Sequence, residues 1–349
     1  MSSDSLEGFN IVVSQPSLSE DGPKSNKPWK YLSKFQLTCQ GYDKVRCTVY
    51  ANGRQQVPIH INVEARDEDG VIVDVNHAGL YLYLCKYNDI DYFPTELGRT
   101  PTEDPRFIYD GTVQSFSEGA EACEGMPIPL EETERVQHVK QFVTANRVGT
   151  YKLAVRCRSP DKVIFVTNTP NPPEGKFDSW LLIDAREPVP IPWDEFGMSR
   201  EDYITSKTWD VDLYHIYFKD TNRKIVDSVR YGPAGEGVAH YSWTKDGDHI
   251  HHVTYRAGNR RNVQHHSCSV PSDFIIFPVN SRPGQATAAR IKDERPCGSY
   301  HSDPRVMGYI DQYGNESKVM IKGSSNGNTL HLRDPNSKDD EPIEDEIGE

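Results

Sequence analysis

The chain has 349 residues, of which 36% are hydrophobic and 26% charged, and its formal net charge is −13. That length exceeds what one hydrophobic core usually serves, so two domains of about 100 to 200 residues each are expected. The acidic balance opposes binding to phosphate backbones and excludes nucleic acid as an expected partner, and no run of about 18 apolar residues is present to span a bilayer as a helix.

The 18 tyrosines, 12 phenylalanines and 5 tryptophans favour pleated, half-buried surfaces over helices. Met1 to Gly8 is polar and acidic where a secretory signal would be basic and then apolar. Three expectations stay open: a cytoplasmic chain, one exported without a cleaved signal, or one already mature. Seven cysteines, an odd number without CxxC spacing, do not make a disulfide framework, so reduced thiols are the default.

Residues 1–28 read as a flexible arm with one apolar cluster at Phe9, Ile11, Val12 and Val13. A first β-sandwich domain is expected over 29–183. Lys34 to Cys39 and Arg46 to Tyr50 predict a hairpin around Gln40 to Asp43. Cys39 and Cys47 are symmetric about Asp43, so outside a cell they would be a disulfide pair and otherwise packed thiols. In Val57 to Ala65 the apolar Val57, Ile59, Ile61 and Val63 alternate with Pro58, His60, Asn62 and Glu64, the clearest strand signal in the chain. Asp69-Gly70 then turns into Val71 to Val75. Asp67 to Gly70 is similar to part of a calcium loop but lacks the closing glutamate, which leaves a plain turn.

Further strands are predicted at Leu80 to Cys85, Arg106 to Tyr109, Thr112 to Phe116, Val139 to Thr144, Tyr151 to Arg156, Lys162 to Thr167 and Ser179 to Ile183. Glu131 to Val143 fits a helical face as well, and its second half is read as strand. Tyr81, Tyr83, Tyr87, Tyr92 and Phe93 surround a loop with Asn88, Asp89 and Asp91, a mixture suited to a sugar or a protein edge. Tyr87, Tyr92 and Phe93 are the expected ligand contacts; the competing reading makes Tyr81 and Tyr83 one face of a buried strand.

Pro188, Pro190 and Pro192 mark a linker over 184–198, since proline removes backbone donors from a ladder. Ser199 with Asp202 suggests a helix start. A second sandwich is expected over 199–333, with strands at Thr208 to Phe218, Lys224 to Tyr231, His240 to Thr244, Asp248 to Tyr255, Asn262 to Cys268, Asp273 to Phe277, Arg305 to Asp311, Lys318 to Lys322 and Thr329 to Arg333. Residues 334–349 hold eight acidic side chains and one lysine, a disordered acidic tail. The fold class is thus all-β: two antiparallel sandwiches in tandem, immunoglobulin-like or related, with little helix.

One arrangement has metal-site geometry. If Gly258 and Asn259 form a two-residue turn, His251 pairs with His266 and His249 with Cys268, placing two residues of each strand on one face. Imidazoles and a thiolate suit zinc, the one cofactor the chain suggests. By the same arithmetic His252 and His265 pair on the opposite face. Walker, GxGxxG, GxSxG and HExxH patterns are absent, and no stretch carries a family motif. The leading expectation is a noncatalytic binding or structural protein that presents loops to a protein or glycan, in a surface, phage-like or toxin assembly. The alternatives are a metal-dependent hydrolase on the 248–268 hairpin and a membrane-attacking toxin component.

Overall fold

The computed structural model describes residues 25–39, 45–73, 81–109, 137–169, 177–231, 239–245, 248–267, 269–295, 305–325 and 327–337, with backbone alone at 137, 239–245, 248, 249 and 305. The predicted arm cluster at Phe9 to Val13, the strand at Thr112 to Phe116 and the acidic tail beyond Ser337 lie outside those residues. The described residues are nearly all β, with a single 3-10 turn at Trp193–Glu195 and no α-helix. The chain divides into two compact units, Met1–Glu187 and Pro188–Glu349.

The first unit has two sheets. One orders β1 (Tyr31–Cys39), β3 (Val57–Arg66), β7 (Gln137–Ala145) and β6 (Leu97–Thr100), with the short β4 (Ile72–Val73) on β3. The other orders β2 (Arg46–Tyr50), β10 (Leu181–Arg186), β8 (Gly149–Arg158) and β5 (Tyr81–Lys86), with β9 (Ile164–Val166) on β8. All pairs are antiparallel except β2 with β10. One apolar core joins the two sheets: Val57, Ile59, Ile61 and Val63 of β3 meet Leu153, Val155, Leu181 and Ile183. Each such side chain contributes about 1.5–3 kcal/mol on burial, which is why the alternation of β3 is so legible.

The first predicted hairpin needs correction. β1 pairs with β3 and β2 with β10, so the two strands belong to opposite sheets and are not hydrogen-bonded to each other. Cys39 and Cys47 are both buried in the shared core as free thiols. Arg106 to Tyr109 is not a strand. That loop is held instead by two buried amides, Gln55 Nε2 donating to the Ile108 carbonyl at 3.3 Å and Gln56 Oε1 accepting from Asp104 N at 2.6 Å.

Asp67 Oδ1 accepts from the amides of Asp69 (3.0 Å) and Val71 (2.8 Å), and Gly70 takes φ +80°. This is a hairpin turn, and the second unit repeats it: Asp311 Oδ1 accepts from Tyr313 and Asn315 at 2.9 Å each, with Gly314 at φ +81°. In both, the side chain mimics a backbone turn and glycine occupies the left-handed position.

The second unit departs from a two-layer sandwich. A central sheet orders β11 (Phe196–Thr205), β12 (Trp209–Phe218), β18 (Ala286–Asp293), β15 (Asp248–Thr254) and β14 (Ala239–Lys245). A second orders β13 (Ile225–Arg230), β19 (Arg305–Asp311), β20 (Glu316–Gly323) and β21 (Leu330–Arg333), and a third pairs β16 (Arg261–His266) with β17 (Phe274–Val279). Tyr214, Ile216, Ala286 and Ala288 of the central sheet share a core with Tyr309, Val319 and Ile321, while Trp209, Val211, Leu213, Ala289 and Ile291 share another with Ile275, Phe277 and Val279. Successive strand residues face opposite ways, so the central sheet is buried on both faces, and its strands lose the clean apolar-polar alternation.

The expected linker over 184–198 is shorter: Asp184 to Arg186 end β10 and Phe196 to Met198 begin β11. Between them Ile191 packs on the second unit's core, its amide donating to Ser317 Oγ at 2.7 Å. The helix predicted from Ser199 is a strand, because Phe196–Thr205 finds a full antiparallel partner in β12 and that pairing overrides a local capping signal.

Candidate binding face

On β8, Leu153, Val155 and Cys157 enter the core, as do Leu82 and Leu84 on β5. Alternation therefore turns Tyr81 and Tyr83 of β5 and Arg156 and Arg158 of β8 outward on the opposite face. The ladder aligns them in rows, Tyr81 opposite Arg158 opposite Ile164, and Tyr83 opposite Arg156 opposite Val166. Two of the large apolar side chains are well exposed, Tyr81 at 55% and Ile164 at 52%. Arg156 is fixed, its guanidinium 5.3 Å from the Tyr83 ring centre and ion-paired with Asp91.

Further along the same face the Lys152 ammonium stands 3.6 Å from the Tyr87 ring centre and 4.5 Å from that of Trp180. A cation between two ring faces is attracted by both quadrupoles. Burial, and then the neighbouring Asp178 carboxylate, raises the Tyr87 phenol above its ordinary range. The thiols of Cys85 and Cys157 are pushed up to about 12, chiefly by burial, so neither supplies a thiolate at neutral pH.

The expected ligand trio has mixed fates. Tyr87 joins this face, boxed against Lys152. Tyr92 is exposed with its hydroxyl on Thr95 Oγ1 at 3.3 Å, and Phe93 turns to the core of the first unit beneath the Arg99 guanidinium. Arg156, Arg158, Trp180 and Ile164 lie outside the expected trio, and the alternation in Lys152-Leu-Ala-Val-Arg156-Cys-Arg158 carries the signal for two of them.

The hairpin geometry behind the metal set is also corrected. β15 pairs with β14 and β18, and β16 with β17, because the six residues from Tyr255 to Arg260 carry the chain from the central sheet to the two-stranded sheet instead of turning back in two. His251 lies opposite Ile291, not His266. His266 turns outward, its Nδ1 donating to the Pro271 carbonyl at 2.9 Å and its ring 5.6 Å from that of Phe274. His265 points inward instead, its ring centre 5.1 Å from that of His251. His249 lies opposite Asp293 in the ladder, and Cys268 is outside the described residues. Among the described side chains no group of three or more His, Cys, Asp or Glu is arranged to hold a metal ion.

A separate polar group surrounds buried His215, whose Nε2 donates to Glu201 Oε2 at 2.9 Å. Arg282 donates to the same oxygen at 2.9 Å and to Ser199 Oγ at 3.1 Å. Burial is the first cause that lowers the His215 imidazole below its ordinary range. The serine opposite this histidine thus has its oxygen turned to a guanidinium, which is not how a nucleophile is activated.

Fold and face define an all-β protein of two compact units, one of which exposes an aromatic and cationic sheet face. No family model and no curated protein matches the chain. Among solved structures, the adhesin InvE of Yersinia pseudotuberculosis is similar over 86% of this chain at 10% identity and a TM-score of 0.20, and the chain spans 60% of that adhesin's length. The C-terminal domain of the AgI/II polypeptide BspA of Streptococcus agalactiae is similar over 82% of this chain and 97% of its own length, again at 10% identity and a TM-score of 0.20. Likenesses that slight carry nothing about ligand or role. Among the described residues no helix is long and apolar enough to cross a membrane, which says nothing of β-barrels.

Proposed function

We infer that the chain is a noncatalytic binding protein whose first unit engages an acidic protein surface through the β5–β8–β9 face. The observation that carries this reading is the cross-strand row Tyr81–Arg158–Ile164, with an exposed aromatic and an exposed aliphatic side chain flanking an arginine. Tyrosine and arginine dominate interface hot spots, where truncating one anchor costs roughly 2 kcal/mol or more of binding. With Arg156 ion-paired to Asp91 and Asp178 beside Tyr87, the exposed Arg158 between Tyr81 and Ile164 is the cation this face offers a carboxylate of the partner. A surface, phage-like or toxin assembly would supply such a partner.

The test is surface plasmon resonance of the whole chain against panels of immobilised acidic proteins and of glycans, run beside a Tyr81→Ser/Arg158→Glu variant with an unchanged melting temperature. Binding to a protein that weakens at least thirtyfold in the variant supports the reading. Binding confined to glycans moves the ligand class, and binding the variant retains in full removes this face from the function.

A further inference from the structure

We propose that the chain self-associates through the free edge of β17, two copies pairing this strand antiparallel about a two-fold axis so that their β16–β17 sheets become one. That sheet has two strands, and at its end the Ser267 amide donates to the Asp273 carbonyl at 2.9 Å. Bonded pairs recur at every second residue of an antiparallel ladder, so Ile275 and Phe277 bond to His265 and Val263. Phe274 and Ile276 therefore aim their N–H and C=O groups away from β16. Pro278 occupies the next outward position, where a missing N–H takes nothing from the ladder. The outward groups are also on accessible residues, Phe274 being 45% and Ile276 52% exposed.

A regular, exposed edge templates pairing with another chain, and the other edges are blunted. β1, β11, β13 and β14 each carry a register shift, at Leu32/Lys34, Asp202/Ile204, Ile225/Asp227 and Ala239/Tyr241. β6 and β21 are four residues long. β2 and β5 are regular, but Cys47 to Tyr50 of the first and Leu82 and Leu84 of the second are buried. β16 turns the polar Asn262, Gln264 and His266 to its own edge. Among the described edges, β17 alone is regular, exposed and apolar.

A second copy is the occupant that fits. Antiparallel pairing centred on Ile275 sets Phe274 opposite Ile276 of the other copy and the reverse, each pair exchanging both N–H···O bonds, so the strand is its own complement. No charge is present from Phe274 to Val279, so two chains of net charge −13 meet here without burying a carboxylate. Charge is complementary beside the seam. With strands about 4.8 Å apart and a rise of about 3.4 Å per residue, this register places exposed Arg261 of each copy about 12 Å, between Cα atoms, from Asp273 of the other, on one face of the joined sheet. The exposed parts of Phe274 and Ile276 come to only about 200 Å² per copy, far below the roughly 800 Å² per partner of a stable interface, so the dimer is weak and reversible.

Sedimentation equilibrium of the full chain over a wide range of concentrations tests this, and a reversible passage from monomer to dimer is expected. Ile276→Lys puts a charge on the edge, and Ile276→Pro deletes an outward N–H without touching the ladder to β16. Each should weaken the dimer at least tenfold. Ile164→Lys, at an equally exposed aliphatic position of the first unit, should leave it unchanged. A monomer at every concentration, a dimer that either Ile276 variant retains in full, or one lost in Ile164→Lys overturns the proposal. Should the Ile276 variants fail to fold, hydrogen exchange in the unaltered chain decides: protection of the Phe274 and Ile276 amides that rises with protein concentration sustains the pairing, and protection independent of concentration ends it.

Discussion

At the residue scale, His252 shows how a side chain with no part in the binding face sets the conditions under which the second unit stands. It is 3% exposed, and burial lowers its imidazole to about 4. Because a carbonyl only accepts, its Nε2 carries the proton it donates to the Gly327 carbonyl at 2.8 Å, a bond that favours the protonated ring and is outweighed by burial. Gly323 packs on the same ring: a Cβ added there would lie 2.3 Å from Cε1. In the unfolded chain the imidazole protonates near its ordinary value of 6.5, whereas in the fold it protonates near 4. Between those values the unfolded state binds more protons, so the stability is complete above pH 6.5 and declines as pH falls toward 4. The ceiling on that loss is about 3 kcal/mol, at 1.36 kcal/mol per unit. Urea denaturation at pH 7 and pH 5 should show the midpoint falling with acid, and His252→Gln should flatten that dependence. An equal slope in the variant would assign the acid sensitivity elsewhere, with His60, also lowered to about 4 mainly by burial, as the next group to test.

Elements differ in how openly the sequence declares them, and the difference is physical. β3 is legible because one face is apolar and the other polar. β18 lacks such a signal: its Ala-Thr-Ala-Ala-Arg-Ile-Lys-Asp has few β-branched or aromatic residues, yet it is the middle strand of the central sheet, between β12 and β15. It is a strand because its neighbours require one, and its small side chains let layers close in from both sides. Ala289 is fully buried, opposite Leu213 on one neighbour and Val253 on the other. Ala289→Leu should therefore overpack that layer and destabilise the unit by about 1–3 kcal/mol, read as a lower urea midpoint. An unchanged midpoint would mean the β16–β17 sheet yields freely. The same layering explains the misplaced histidine. Histidine abundance at 249–266 was visible, but which ring faces inward depends on whether β15 and β16 share a ladder or face each other across a core. A one-residue change of parity exchanges His266 for His265, and sequence alone does not distinguish those two arrangements. On the β5–β8–β9 face the alternation of Lys152, Arg156 and Arg158 was legible. Ile164 was not, because its partner row exists only once β9 is laid beside β8.

For the whole molecule, the useful question is where one folding unit ends. Proline spacing alone suggests a spacer over 184–198, but the side chains say that most of it belongs to the second unit. Ile191 packs on that unit's core, the Ile191 amide donates to Ser317 Oγ, the Lys219 amide donates to the Glu195 carbonyl at 2.9 Å, and Phe196 sits edge-on to Phe218 with ring centres 4.9 Å apart. Each unit has its own apolar core, which is what independent folding needs. A fragment of residues 188–337 should accordingly unfold cooperatively, within a few degrees of the second unit in the full chain. A fragment starting at 199 lacks Phe196, whose aromatic burial alone corresponds to about 3–5 kcal/mol, a large share of the roughly 5–15 kcal/mol that holds a domain together. It should lose the cooperative transition and the near-ultraviolet dichroism of packed aromatics. If the longer fragment fails to fold while the full chain does, the second unit depends on the first, and the boundary at Pro188 is not a boundary in folding.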